Sequence, residues 1–382
     1  MFDSRDEELM RQCLELAEKG RGRTSPNPMV GALVLDARGE IVGRGFHEKA
    51  GEPHAEPNAL AEAGASARGG TLYVSLEPCC HHGKTPPCSD AVIEAGIKSV
   101  VVAMEDPNPK VAGKGLSALQ EKGIDVRVGL LARESAWLNR GFLTALKKNR
   151  PWLTLKMAVT LDGRIADRSG KSRWITGPEA REWVHRQRDE MDAVMVGAGT
   201  ARADDPSLNV RDIRDSRDSK PDSKRDSQRD PVRVILVSRG TIPPQAKVLD
   251  PNTGGTTLIY CLEKDNLAED RVGVTVVKVP GEKGRLDLEA VLQDLCSRGI
   301  RSVLCEGGAG LAGALIEADL ADELAFITAP LLLPDSQAIP VTSGSTALDL
   351  SEARHFRFFQ ASMLGEDVLL RARRAEPEEL LG

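Results

Sequence analysis

The chain has 382 residues, 41% of them hydrophobic, 28% charged and 3% aromatic, and a net charge of -6. That length exceeds one ordinary core and predicts two domains, because single domains usually hold about 100 to 200 residues. An acidic balance with few stacking rings argues against a nucleic-acid binder; no apolar run approaches membrane-spanning length, and the acidic start lacks a signal peptide's basic and apolar regions, so a cytoplasmic protein with no membrane partner is expected.

Seven cysteines, three of them between Cys79 and Cys88, fit metal ligation better than a disulfide framework. Cys13, Cys261, Cys296 and Cys305 have apolar neighbours and read as buried thiols.

The spacing of Leu9, Cys13, Leu14, Leu16 and Ala17 predicts an amphipathic helix over 7–18, ended by Gly20 and Gly22. Strands follow over 29–35 and 41–46, joined by a loop whose Gly39 supplies a positive φ. Pro26 and Pro28 give the preceding segment an extended path, which either holds Asn27 over a pocket or forms a simple turn. A helix opens at His54-Ala55-Glu56-Pro57, with the proline tolerated in its first turn. After a strand over 71–76 comes Glu77-Pro78-Cys79, and Cys88 then begins another helix, so both thiols can lie near a helix N-terminus that favours thiolate. Strands over 99–104 and 123–128 complete a β-α-β-α-β alternation, the mark of an α/β layered domain.

His54, Cys79 and Cys88 offer an imidazole and two thiolates, a set that suits a zinc ion with an open fourth position, and Glu56 is the nearby carboxylate that moves protons. A lone buried histidine is usually structural; it is the combination that points to metal. The zinc nucleobase deaminases carry H-x-E followed by P-C-x-x-C, whereas eight residues separate Cys79 from Cys88 here. Cys80 rivals Cys79 as the ligand, and the Pro-Cys pairing favours Cys79. His81 and His82 fall inside the loop rather than at element ends and read as bystanders. Lys84 either holds a substrate phosphate or is simply solvated.

The runs Ser25-Pro-Asn-Pro-Met-Val-Gly31, Ala50-Gly-Glu-Pro-His-Ala-Glu56, Leu76-Glu-Pro-Cys-Cys-His-His-Gly-Lys-Thr-Pro-Pro-Cys88 and Asp106-Pro-Asn-Pro109 closely resemble the deaminase half of the bifunctional riboflavin-biosynthesis deaminase/reductase family. That family carries the longer P-C-x8-C spacing. The resemblance implies zinc on His54, Cys79 and Cys88, proton transfer by Glu56, and substrate near Asn27, His47, Lys84 and Thr85. Pro57 stands where the family more often has an aliphatic residue, and Cys80 where it more often has serine.

Residues 149–151 form a plausible joint, so domains are expected over 1–149 and 150–382. A strand over 152–159, a helix ending near Arg188, and a strand over 193–196 that ends in Gly197-Ala198-Gly199-Thr200 come next; such small residues let a ligand approach. Residues 211–231 are almost all charged or polar and read as a mobile insertion. Strands over 232–237, 256–260, 274–279 and 302–305 follow. The last precedes Gly308, Gly310 and Gly313, which match G-x-G-x-x-G ahead of a helix over 314–318. A dinucleotide phosphate is expected at these glycines, and the family resemblance extends that expectation to the whole loop of Gly308, Ala309, Gly310, Leu311, Ala312, Gly313 and Ala314. The next strand, over 324–328, lacks the acidic residue of a Rossmann half, so the fold is expected to be a different α/β type. Ser238-Arg239, at a strand end, suits the 2′-phosphate of NADP.

This half is likewise similar to the reductase half of the same family, through Lys156-Met-Ala-Val-Thr-Leu-Asp-Gly163, Trp174-Ile-Thr176, Ala203-Asp-Asp-Pro-Ser-Leu208 and the run from Glu306 to Gly313. Gly177 replaces a commoner serine. The resemblance implies a cytidine-deaminase-like α/β/α layered domain followed by a dihydrofolate-reductase-like α/β domain. It places NADPH near Ala158, Trp174, Thr200, Asp204, Ser238 and the 308–314 loop, and substrate near Ser172, Arg188, Leu208, Arg211 and Glu306. Arg188 and Arg211 are natural phosphate clamps, and Lys156 and Glu306 are suited to position the sugar. The expected reactions are hydrolytic deamination of a phosphoribosylated diaminopyrimidinone and NADPH-dependent reduction of its ribosyl group, by a homo-oligomer whose partners are small molecules. Two rivals remain: a nucleobase or tRNA deaminase with a regulatory nucleotide-binding second half, and a zinc-stabilised binding protein without chemistry.

Overall fold

The computed structural model describes residues 2–80, 86–109, 111–211, 230–263, 271–344 and 349–381. Met1–Asn149 together with Glu376–Gly382 form one compact unit, and Arg150–Ala375 form a second.

In the first unit, helix α1 (Ser4–Glu18) begins at a capping box between Asp3 and Asp6 and buries Leu9, Met10, Cys13 and Ala17. Strands β1 (Gly31–Leu35) and β2 (Ile41–Phe46) form the expected hairpin, and helix α2 (Ala55–Ala63) follows. Gly43 and Gly45 let α2 lie directly on β2: a Cβ at these positions would come within 2.1 Å of the Ala59 carbonyl and 2.3 Å of the Ala55 carbonyl. Then come β3 (Thr71–Val74), α3 (Cys88–Glu94), β4 (Ser99–Val102), α4 (Lys114–Glu121), β5 (Asp125–Val128), α5 (Ala132–Leu138) and α6 (Arg140–Lys148).

The sheet order is β2-β1-β3-β4-β5, with β3, β4 and β5 parallel. Alternate side chains serve two cores, as the period of a strand requires. Ala32, Val34, Leu72, Val74, Val100 and Val102 pack with residues of α2, α3 and α4, while Leu33, Leu35, Tyr73 and Val101 pack with Leu9, Met10 and Cys13 of α1. The result is an α/β/α sandwich.

The second unit is built on β6 (Trp152–Thr160), β7 (Arg164–Ala166), α7 (Pro178–Glu190), β8 (Ala193–Gly197), α8 (Ala198–Asp204), β9 (Val232–Val237), β10 (Thr257–Leu262), β11 (Val274–Val279), β12 (Gly281–Glu282), β13 (Arg285–Leu286), α9 (Leu288–Ser297), β14 (Ser302–Cys305), α10 (Ala309–Glu317), β15 (Glu323–Ala329), β16 (Ile339–Pro340), β17 (Arg357–Leu364) and β18 (Asp367–Arg373). Nine strands form one sheet in the order β11-β10-β9-β8-β14-β6-β15-β18-β17. The run from β11 to β15 is parallel, and β18 and β17 close it antiparallel. Because β14 returns between β6 and β8, the strand order reverses there, and the carboxyl ends of β8 and β14 flank the crevice where open α/β sheets bind ligands.

Three expectations need correction. The helix after the glycine motif starts at Ala309 rather than 314, so Gly310 and Gly313 belong to helical turns. Gly199 and Thr200 lie in α8 instead of a loop. The second unit stops at Ala375: the last helix, α11 (Pro377–Leu381), buries Pro377 and Leu380, packs on α5 and α6 of the first unit, and pairs Glu378 with Arg133. Of the expected insertion over 211–231, residues 212–229 lie outside the described residues.

Candidate active sites

In the first unit, two strand-to-helix passages meet. His54 is the N-cap of α2 and Cys88 the first residue of α3, while Cys79 follows β3. His54 Nδ1 lies 3.3 Å from Cys88 Sγ and 3.6 Å from Cys79 Sγ, and the three donor atoms fall within 4.8 Å of one another. The backbone N–H of Cys88 donates to Cys79 Sγ at 3.4 Å, the expected favour of a helix start to a thiolate. Hydrogen bonding from the Cys88 side chain outweighs burial and holds the Cys79 thiol down to about 4; the neighbouring sulfur in turn pushes Cys88 up. Two sulfurs and one imidazole nitrogen at this spacing can hold zinc with one position to spare.

Cys80 is not among the converging atoms, and burial pushes its thiol up, so the geometry separates it from Cys79. Glu56, in the first turn of α2, is 3% exposed, and burial pushes its carboxyl up to about 7.

A cavity of about 400 Å³ adjoins these groups, lined among others by Asn27, His47, His54, Glu56, Cys79, Glu77, Asp106, Asn108 and Phe142. Asn27 is therefore no bystander in a turn. Its Nδ2 donates to His47 Nε2 at 3.1 Å, leaving His47 Nδ1 to donate to the Pro53 carbonyl at 3.1 Å. The two bonds select a neutral imidazole protonated at Nδ1, in keeping with a pKa lowered by burial. The Asn27 loop is itself pinned: Asn139, between α5 and α6, accepts from Met29 N at 2.8 Å and donates to Met29 O at 3.0 Å. Lys84, Thr85, His81 and His82 lie outside the described residues.

In the second unit several of the expected residues stand at the carboxyl ends of parallel strands. Gly197 closes β8, Ser238 follows β9, and Glu306 follows β14. A Cβ added to Gly197 or Gly199 would meet nothing within 4 Å, so these small residues border open space. Gly308 caps α10 without a side-chain partner, and a Cβ there would come 3.4 Å from Thr200 Oγ1. Bare amides at a helix start, faced by small residues, fit a dinucleotide phosphate. Gly313 answers a different need, because a Cβ there would lie 2.2 Å from the Ser343 carbonyl; it is a packing glycine. Ala309 and Ala312 are buried, so their side chains serve the core. Trp174 is 70% exposed, with the Arg181 guanidinium 4.6 Å over its ring, and Ser172 Oγ donates to Asp204 Oδ1 at 3.2 Å.

Lys156 and Ala158 point to the same face of β6. Lys156 Nζ lies 3.8 Å from Glu306 Oε2, and Arg188, in the last turn of α7, grips the same carboxylate with Nε and Nη2. Its Nη1 donates to Asn209 O at 3.1 Å. Arg188 thus spends three of its donors within the protein, which limits its part as a phosphate clamp. Leu208 is buried and its side chain packs in a core with Val194 and Ile235, whereas Arg211 is exposed, its N–H donating to His185 Nδ1 at 3.2 Å. His185 was missed by the sequence reading, although it lies three residues before Arg188 and so shares its helix face.

A model of the cytidine and deoxycytidylate deaminase zinc-binding region matches residues 3–104, and a model of the RibD C-terminal domain matches 151–370. The riboflavin biosynthesis protein RibD of Escherichia coli (strain K12) is 42% identical over 366 residues, covering 96% of this chain and 98% of that protein. The chain belongs to the RibD family. A RibD of Bacillus amyloliquefaciens is 41% identical over 368 residues, covering 96% of each chain. Among solved structures, Acinetobacter baumannii RibD (form 1) superposes with a TM-score of 0.85 at 39% identity, covering 96% of this chain and 98% of that one. The Thermotoga maritima diaminohydroxyphosphoribosylaminopyrimidine deaminase/5-amino-6-(5-phosphoribosylamino)uracil reductase gives 0.83 at 36%, covering 97% and 99%. A RibD protein joins a zinc-binding deaminase domain to an NADPH-using reductase domain in riboflavin biosynthesis, and this chain is such a bifunctional enzyme. The expected cytidine-deaminase-like and reductase folds are both present. A regulatory second half and a binding protein without chemistry are set aside by the RibD match over 151–370. Among the described residues, no helix is long and apolar enough to cross a membrane.

Proposed function

We propose that the first unit hydrolytically deaminates 2,5-diamino-6-(ribosylamino)pyrimidin-4-one 5′-phosphate, and that the second reduces the ribosyl group of the product to ribityl, giving 5-amino-6-(ribitylamino)uracil 5′-phosphate. The observation that carries this reading is the convergence of His54, Cys79 and Cys88 beside a cavity that also holds Glu56. His54 Nδ1 and the two sulfurs would hold zinc, which would supply the Lewis acidity that makes water a nucleophile at neutral pH. Glu56, with its carboxyl near neutrality, takes the proton of the attacking water and passes it to the departing amine, which leaves as ammonia. Asn27 and the neutral His47 orient the pyrimidine.

In the second unit Ala158, Trp174, Thr200, Asp204, Ser238 and the start of α10 would hold NADPH, which would supply the hydride. Lys156 and Glu306 position the opened sugar, and Ser172, Arg188, Leu208 and Arg211 border the phosphorylated end. The test is to supply the diaminopyrimidinone with and without NADPH and to follow ammonia and NADPH oxidation. Ammonia is expected in both cases, and NADPH oxidation only once the deaminated product exists. Ammonia release with no NADPH consumption would sink the reductase assignment.

Self-association belongs to this reading as well. Strand β17 is the edge of the nine-stranded sheet and turns Phe358 and Met363 outward, a surface suited to another copy. Sedimentation should find an oligomer, and a lone monomer at micromolar concentration would refute it. All seven cysteines are free, which favours the reducing cytoplasm.

A further inference from the structure

Glu77 lies two residues before Cys79 and is 4% exposed, yet its carboxylate is not among the donor atoms that converge with His54 and Cys88. Its Oε2 accepts from the backbone N–H of Asp106 at 3.1 Å and of Gly113 at 3.0 Å, and its Oε1 from Gly115 at 2.8 Å and Leu116 at 3.3 Å. Gly115 and Leu116 belong to the first turn of α4, whose N-cap, Gly113, has no side chain with which to cap it. Glu77 therefore supplies from a distant strand end the cap that α4 lacks, and the positive end of the helix dipole offsets its buried charge. The approach is close: a Cβ on Gly115 would lie 2.0 Å from the Pro78 carbonyl. The residues drawn in by these four bonds, 106–109 and 111–116, include Asp106, Asn108 and Val111, which form one wall of the cavity beside Glu56.

We propose that Glu77 is a positioning residue for the deaminase, holding Asp106, Asn108 and Val111 through the backbone of Asp106 and of the α4 start so that this wall meets the substrate. With two N–H donors on each oxygen, Glu77 has no lone pair aimed at the chemistry, which separates it from the proton carrier Glu56. This inference rests on the deaminase reading; ammonia release by the unaltered enzyme tests that reading separately.

In the full-length, zinc-loaded enzyme, Glu77→Gln turns an amide NH2 toward two backbone donors and breaks one side of the clamp. The KM for the diaminopyrimidinone should rise about tenfold or more, the mark of binding lost equally from ground and transition state, while kcat, zinc content and NADPH oxidation on deaminated substrate stay near their original values. A fall in kcat at unchanged KM, or no change in either, overturns the proposal. Should Glu77→Gln lose zinc or fail to fold, Gly115→Ala decides, since it forces α4 off Pro78 with Glu77 intact. The same rise in KM is expected of it, and an unchanged KM overturns the proposal.

Discussion

Arg188 and Glu306 form a two-pronged ion pair, Nε to Oε1 at 2.6 Å and Nη2 to Oε2 at 3.1 Å, that ties the last turn of α7 to the end of β14. Both side chains are only 11% exposed, and Lys156 approaches the same carboxylate. One anion thus balances two cations that are themselves largely out of water. Glu306→Gln should leave both without a counter-charge, at a cost of about 3–5 kcal/mol. Lower thermal stability and loss of NADPH oxidation are expected, with ammonia release retained. Full reductase activity in this variant would remove Glu306 from the site.

The same cluster predicts a pH dependence. Burial pushes the Glu306 carboxyl up, but Arg188 and Lys156 outweigh it and bring its pKa down to about 2. A folded value below the unfolded one, about 4.3 for glutamate, stabilises the fold fully above the unfolded value and loses that contribution as pH falls toward 2. Melting curves taken from about pH 6 down to 3 should therefore show a steeper acid loss in the unaltered protein than in Glu306→Gln. Parallel curves would show that the carboxylate is not held down by its partners.

Cys79 and Cys80 are neighbours in sequence with different surroundings, since only Cys79 converges with His54 and Cys88. Cys79→Ser should lose most of its zinc by atomic absorption and its ammonia release, whereas Cys80→Ser should keep both. Removing zinc from the unaltered enzyme with a chelator should stop deamination and leave reduction of deaminated substrate running. A zinc-free Cys80→Ser protein would reverse the ligand assignment.

Glu56→Gln keeps the shape of a buried side chain and removes the proton carrier. The deamination rate should fall by about 10²–10⁴-fold, the usual worth of general acid–base catalysis, with zinc still bound. Ammonia release at the original rate would return Glu56 to a structural role.

Much of this was legible in the sequence, for reasons that differ by region. The His54, Cys79 and Cys88 set was readable because its residue types have few other uses together, and each stands at an element end where a strand or loop meets a helix. The parallel strands of the second unit were readable as short β-rich runs. Strands β17 and β18 were not anticipated, since Arg357–Leu364 and Asp367–Arg373 mix charged, polar and apolar residues and show no continuous apolar run. The start of α10 was placed too late because glycines were read as loop, although Gly313 is required inside the helix by the Ser343 backbone. Glu77 and Asn139 escaped for a deeper reason: both act on backbone groups far along the chain, and no local pattern announces such a partner.

The small helix α11 has a consequence for the order of synthesis. A ribosome completes residues 1–149 long before it makes 377–381, with the whole second unit emitted in between. Until then, the apolar seats for Pro377 and Leu380 on α5 and α6 stand open to water, and α6 bears on the pocket through Phe142 and the neighbouring Asn139. The deaminase thus receives its α11 only after the whole reductase has been made.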